Sequence, residues 1–158
     1  MKQIAVTFTV NDEKVTVTSD TNRSLLDVLR DDLALTGAKD GCGGEGECGA
    51  CTVILNNNPV NACLVLIGQV TGCWVETIEN LSAGGKLHPL QKAFVEAGAV
   101  QCGFCTPGVI MSAKALLDRG ARCGEGDIRE AMSGNLCRCT GYVKMIDAVQ
   151  LAAREMRK

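Results

Sequence analysis

Aromatic side chains are scarce in this 158-residue sequence: three phenylalanines, one tyrosine and one tryptophan amount to 3% of it. Bound non-protein groups can stand in for some of the core mass that such rings usually supply. Histidine occurs once, at His88. A lone histidine beside Pro89 at a helix start reads as a cap or a surface residue. No nucleophile–base pair, P-loop or G-x-G-x-x-G turn accompanies it, so the chain offers no site where a substrate would be turned over. Positive charge is not in excess, since 16 lysines and arginines against 18 acids leave a formal net charge of −2. That removes the basic face a nucleic-acid partner requires. No apolar run approaches the roughly 18 residues of a membrane span. The opening MKQIAVTFTVNDEK has no apolar h-region and no small-residue cleavage site, and reads as a first strand instead of a signal peptide. With 46% apolar and 22% charged residues, the chain is globular and long enough for one ordinary domain or two small ones.

Against these shortages stand ten cysteines, at 42, 48, 51, 63, 73, 102, 105, 123, 137 and 139. Without a secretory signal the expected compartment is the reducing cytoplasm. Clustered thiols there bind metal more often than they form disulfides.

Hydrophobic patterning divides the chain in two. Ile4, Val6, Phe8 and Val10 alternate with polar neighbours, Asn11-Asp12-Glu13-Lys14 supplies a turn, and Val15 and Val17 resume the pattern of a β-hairpin. Ser24 caps a short helix with a stripe of Leu25, Leu26, Leu29 and Leu33. Residues 51–55 read as a strand ending at the Asn56-Asn57-Asn58-Pro59 turn, and residues 74–78 as another. Strands around one helix predict a small α+β domain over residues 1–78.

Residues 79–158 read as helical, after a polar, glycine-containing link around residues 82–86. Leu90, Phe94 and Ala97 share one helix face. Thr106 and Pro107 form an N-cap and first-turn pair, followed by a face of Val109, Ile110, Ala113, Leu116 and Leu117 that stops at Gly120. Asp127 starts a short helix ending near Gly134. A last helix carries Tyr142, Ile146, Val149, Ala153 and Met156. Four short antiparallel helices can bury these stripes as a bundle.

Each half owns a cysteine set. The first is Cys42-x5-Cys48-x2-Cys51-x11-Cys63, within GCGGEGECGACTV and beyond it. Three thiolates on a glycine-rich loop with a fourth from elsewhere is the plant-type [2Fe–2S] ferredoxin arrangement, whose usual first spacing is four residues instead of five. Glycine absorbs an extra residue and lets backbone N–H groups turn toward the sulfurs. Zinc is the competing reading, but zinc sites favour two separated C-x2-C knuckles. The second set is Cys102-x2-Cys105-x31-Cys137-x1-Cys139, in QCGFCTPG and GNLCRCTGY. Cys102 and Cys105 precede a helix N-terminus, which favours thiolates. Taken alone this set suits zinc as well as iron and sulfide. Beside a ferredoxin loop in the same chain it reads as a second cluster. Cys73 and Cys123 have no partner at ligand spacing, and each reads as a small buried hydrophobe or an idle thiol.

In that order and spacing, GCGGEGECGACTV, QCGFCTPG and GNLCRCTGY resemble the iron–sulfur subunit of the xanthine dehydrogenase family of molybdenum hydroxylases, over nearly the whole chain. The resemblance implies an α+β architecture: a β-grasp plant-type ferredoxin domain (1–78), then a four-helix bundle (79–158), each holding one [2Fe–2S] cluster. Metal ligands would be Cys42, Cys48, Cys51, Cys63, Cys102, Cys105, Cys137 and Cys139. Gln101 and Cys139 would lie beside a pterin. The implied partners are a large subunit carrying molybdopterin in its cytosine dinucleotide form and a medium subunit carrying FAD. Together they would form a hetero-oligomer such as a dimer of heterotrimers. Substrate, with xanthine or another purine or N-heterocycle as first expectation, would be hydroxylated at molybdenum with oxygen from water. Electrons would then pass through the bundle cluster and the ferredoxin cluster toward flavin.

Two other classes compete. A free-standing ferredoxin shuttle needs only the first half of the chain. A zinc-stabilised interaction module accounts for the thiols but not for the glycine loop.

Overall fold

Alternation builds the first hairpin of the computed structural model, which describes residues 2–82, 84–120 and 124–157. Strands β1 (Gln3–Val10) and β2 (Glu13–Asp20) pair antiparallel, with Val6, Phe8 and Val10 buried. Asn11 and Asp12, at φ 49° and 67°, make the two-residue turn. Asparagine and aspartate tolerate this left-handed pair, and it matches the twist of the strands. The turn is tighter than its sequence suggests, because Glu13 and Lys14 already belong to β2. Strands β3 (Thr52–Leu55) and β4 (Asn58–Asn61) repeat the device at Asn56 and Asn57. The expected loop around Asn58 and Pro59 is therefore a strand, and its proline is tolerated because β4 lies on the sheet edge. Strand β5 (Trp74–Glu76) runs parallel to β1 in the middle, giving the order β2-β1-β5-β3-β4.

Across the sheet lies α1 (Leu25–Asp27). The Ser24 hydroxyl accepts the Asp27 N–H at 3.1 Å, and the Asp27 carboxylate accepts the Ser24 N–H at 2.9 Å. This reciprocal cap satisfies two otherwise orphaned donors. The helix then widens into a π-helical turn over Val28–Asp32. That widening brings Val28 into the buried set with Leu25, Leu26 and Leu29, while Leu33 is only partly covered. One helix held in a mixed sheet is the β-grasp fold.

Helices α2 (Pro89–Glu96), α3 (Thr106–Asp118), α4 (Glu125–Ala131) and α5 (Val143–Glu155) form the bundle, α2 packing on α3 and α5, and α4 on the same two. Leu90, Phe94, Val109, Ile128, Met145 and Val149 fill its core. Three starts differ from expectation. Cys105, not Thr106, occupies the cap position of α3. Asp127 is the third residue of α4, and its carboxylate accepts the Gly124 N–H at 3.0 Å. Tyr142 occupies the cap position of α5 with a left-handed φ of 69°, while its side chain still packs against the bundle core.

The period of two along a strand explains how the halves join. On β3, Val53 points into the sheet–helix core, whereas Ile54 belongs to the core of the bundle. On β5, Val75 faces the first core, while Trp74 packs against the second. Helix α3 lies along β3 and β4. Its Lys114 Nζ sits 3.0 Å from the Glu76 Oε2, an almost fully covered ion pair. The same ammonium also donates to the Asp118 carboxylate at 2.6 Å.

Candidate iron–sulfur centres

The loop of the first cysteine set is tied down before it is used. From the π-helical turn, the Arg30 guanidinium donates to the carbonyls of Thr36 (3.0 Å) and Ala38 (2.7 Å). The Asp40 carboxylate accepts the N–H groups of Gly43 (2.8 Å) and Gly44 (3.2 Å). The Asn61 amide donates to the Gly46 carbonyl at 2.8 Å. Gly43 and Gly44, at φ 73° and 86°, take the left-handed turns that accommodate the longer first spacing. Backbone N–H groups of Cys48 and Glu47 then hold the Cys42 thiol down to about 7. Cys42 and Cys48 are neighbours on this loop, and Cys51 and Cys63 stand with their sulfurs 3.4 Å apart. Burial, helped by the neighbouring Cys51, pushes the Cys63 thiol up to about 12.

The second set gathers at one end of the bundle. Cys105 caps α3, Cys102 lies one turn ahead of it, and Cys137 and Cys139 come from the link between α4 and α5. The sulfurs of Cys102 and Cys139 are 3.5 Å apart and exposed, and Cys105 interacts with Cys137 farther inside. Burial, with the adjacent Cys137, pushes the Cys105 thiol up to about 12. Burial also acts against Cys137, but the Thr140 hydroxyl at 3.2 Å and the N–H groups of Thr140 and Cys139 outweigh it and bring that thiol to about 7. The Tyr142 hydroxyl accepts the Cys137 N–H at 2.7 Å and donates to the Asn135 carbonyl at 3.3 Å. A left-handed tyrosine costs on the order of 1–3 kcal/mol, so this backbone is held there by its surroundings.

Thiols therefore meet two by two. Two sulfurs on one tetrahedral metal, with bonds of about 2.3 Å, stand about 3.7 Å apart. The observed 3.4 and 3.5 Å fit that geometry, and all nine described cysteines are free thiols. A [2Fe–2S] cluster asks for two such pairs, one per iron. The donor set fits the cluster.

A shallow apolar cleft lined by Gly41, Cys48, Phe104, Leu136 and Cys137 lies between the sets, and the Leu136 N–H donates to the Cys48 carbonyl at 2.9 Å. Gln101 is exposed beside Cys102. Cys73 stands apart from both sets, its sulfur 3.7 Å from the Gln69 carbonyl. Cys123 lies outside the described residues. His88 is a helix cap: its Nδ1 accepts the Leu90 N–H at 3.2 Å, and its own N–H donates to the Gln91 side chain. Sequence reasoning missed Asp40, Arg30 and above all Asn135. The partners of Asp40 and Arg30 are nearby loop amides and carbonyls, whereas those of the Asn135 side chain lie far along the chain.

Comparison with known proteins agrees with this geometry. A model of a 2Fe-2S iron-sulfur cluster binding domain matches residues 8–70, and a [2Fe-2S] binding domain model matches residues 77–150. The chain is 50% identical over 152 residues to the nicotinate dehydrogenase small FeS subunit of Eubacterium barkeri, covering 96% of each. It is 47% identical to part of the aldehyde oxidoreductase of Megalodesulfovibrio gigas, covering 92% of this chain and 16% of that protein. In the solved structure of quinoline 2-oxidoreductase from Pseudomonas putida 86, a chain 40% identical superposes with a TM-score of 0.94, covering 99% of this chain and 98% of that one. Matching cysteine pairs, fold and relatives over its whole length, the chain belongs to the family of iron–sulfur, electron-transfer subunits of the molybdenum hydroxylases.

Proposed function

We propose that Cys42, Cys48, Cys51 and Cys63 hold one [2Fe–2S] cluster, and that Cys102, Cys105, Cys137 and Cys139 hold the other. Residues 1–78 and 79–158 are the corresponding units. The observation that carries this reading is the meeting of the thiols in pairs, drawn from separate loops. Bound there, each cluster supplies a one-electron carrier. The chain's own part is to hold thiolates at fixed spacing, to aim backbone N–H groups and the Thr140 hydroxyl at their sulfurs, and to bury the inner pair. Hydrogen bonds of this kind stabilise the more negative, reduced state.

The exposed Cys102–Cys139 pair faces a large subunit carrying molybdopterin, in the cytosine dinucleotide form. Gln101 is beside it, and its amide can both donate to and accept from a pterin edge. The glycine loop faces a flavin-bearing medium subunit. The enzyme works in the cytoplasm on an N-heteroaromatic compound, purines included. Support for that class comes from the names of the nicotinate and quinoline enzymes to which the chain is similar. An aldehyde is the second reading, favoured by the Megalodesulfovibrio gigas relative. In the enzyme purified from its native host, magnetic coupling between Mo(V) and the nearer cluster should vanish with Cys105→Ser and survive Cys48→Ser. The opposite pattern would reverse the orientation and remove the role given to Gln101.

A further inference from the structure

Asn135 belongs to neither cysteine set, yet the two halves meet on it. It is 4% exposed, and every polar group it owns is engaged. Its Nδ2 donates to the Gly49 carbonyl at 2.8 Å and to the Thr52 hydroxyl at 3.2 Å. Its Oδ1 accepts the Ser112 hydroxyl of α3 at 2.7 Å. Its backbone N–H donates to the Met132 carbonyl at 2.9 Å, and its carbonyl accepts the Tyr142 hydroxyl. The orientation of the amide follows from chemistry: a carbonyl only accepts, so Nδ2 must face Gly49, and Oδ1 is left for Ser112.

The position matters because of what flanks these bonds. Gly49 lies between Cys48 and Cys51 of the first set, and Asn135 is two residues ahead of Cys137 in the second. The approach is too close for any side chain. A Cβ on Gly49 would stand 2.1 Å from the Gly134 carbonyl oxygen, and one on Gly108 would stand 2.3 Å from that of Gly49. We propose that Asn135 is a positioning residue that fixes the separation of the two clusters, acting through the Gly49 carbonyl.

This rests on the two-cluster reading, and the test separates them. The full chain with its partner subunits is prepared anaerobically as wild type, Asn135→Asp and Ser112→Ala. Iron and labile sulfide are counted, each reduced cluster is recorded singly by electron paramagnetic resonance, and the magnetic interaction between them is measured with both reduced. A carboxylate has no donor for Gly49. Asn135→Asp should therefore keep both single-cluster spectra but lose or broaden the interaction splitting. Ser112→Ala removes an equally buried hydrogen bond while leaving the Gly49 contact, and should retain the splitting. An unchanged splitting in Asn135→Asp, or an equal loss in Ser112→Ala, overturns the proposal. If Asn135→Asp fails to take up iron, the near-isosteric Thr52→Val removes a hydroxyl that accepts from the same amide and itself donates to the Gly49 carbonyl at 2.7 Å. A smaller loss of splitting is expected there, and none would overturn the proposal. A wild-type chain with fewer than two clusters would instead sink the reading beneath it.

Discussion

His88 shows how one side chain can do a structural task at a pH-dependent cost. Burial is the larger cause lowering its pKa, and the ammonium of Lys114 adds to it, while Asp118 and Glu76 oppose. The ring must stay neutral to accept the Leu90 N–H. In the unfolded chain a histidine titrates near about 6.5. The folded state therefore binds fewer protons than the unfolded one between its own lowered pKa and that value. The resulting stability is present above about pH 6.5 and is lost as pH falls through that window. Thermal unfolding under anaerobic conditions should show a midpoint that drops from neutral pH to pH about 5.5. His88→Asn, which caps without titrating, should flatten that part of the drop. An equal drop in the variant would assign the effect to other groups.

Among the elements, α3 decides most, since it carries Cys105 at its cap, Gly108 against the first cysteine loop and Lys114 against Glu76. Alanine is normally better than glycine in a helix by about 1 kcal/mol. At Gly108 the new Cβ would meet backbone, which cannot swing aside, and overpacking of this kind costs about 1–3 kcal/mol. Gly108→Ala should lower the unfolding midpoint. Gly126→Ala, on an exposed turn of α4 with open space around it, should hold or raise it. A stable Gly108→Ala would mean that the halves are less closely joined than described. These elements were legible in unequal measure. The first hairpin and the helical stripes could be read because their signals are local or periodic, and the meeting of Cys51 with Cys63 and of Cys102 with Cys139 follows from motifs that are local as well. Strand β4 could not, since Asn58 and Pro59 resemble a turn and become a strand only through pairing with β3. Asn135 has its key partner 86 residues away, beyond any pattern in the sequence.

For the whole molecule, the arrangement is one of two metal sites held by separate frameworks that share β3, β5 and α3. Strands β3 and β5 send alternate residues into the two cores, so neither half has a free inner face. The most direct test of two [2Fe–2S] clusters is the metal and sulfide content of the anaerobically purified chain, read together with its electron paramagnetic resonance after reduction. About four irons and four labile sulfides per chain are expected, with two distinct rhombic signals. Cys48→Ser should erase one signal, Cys105→Ser the other, and Cys73→Ala neither. Stoichiometric zinc without labile sulfide, or a single signal that both serine variants abolish, would contradict the assignment.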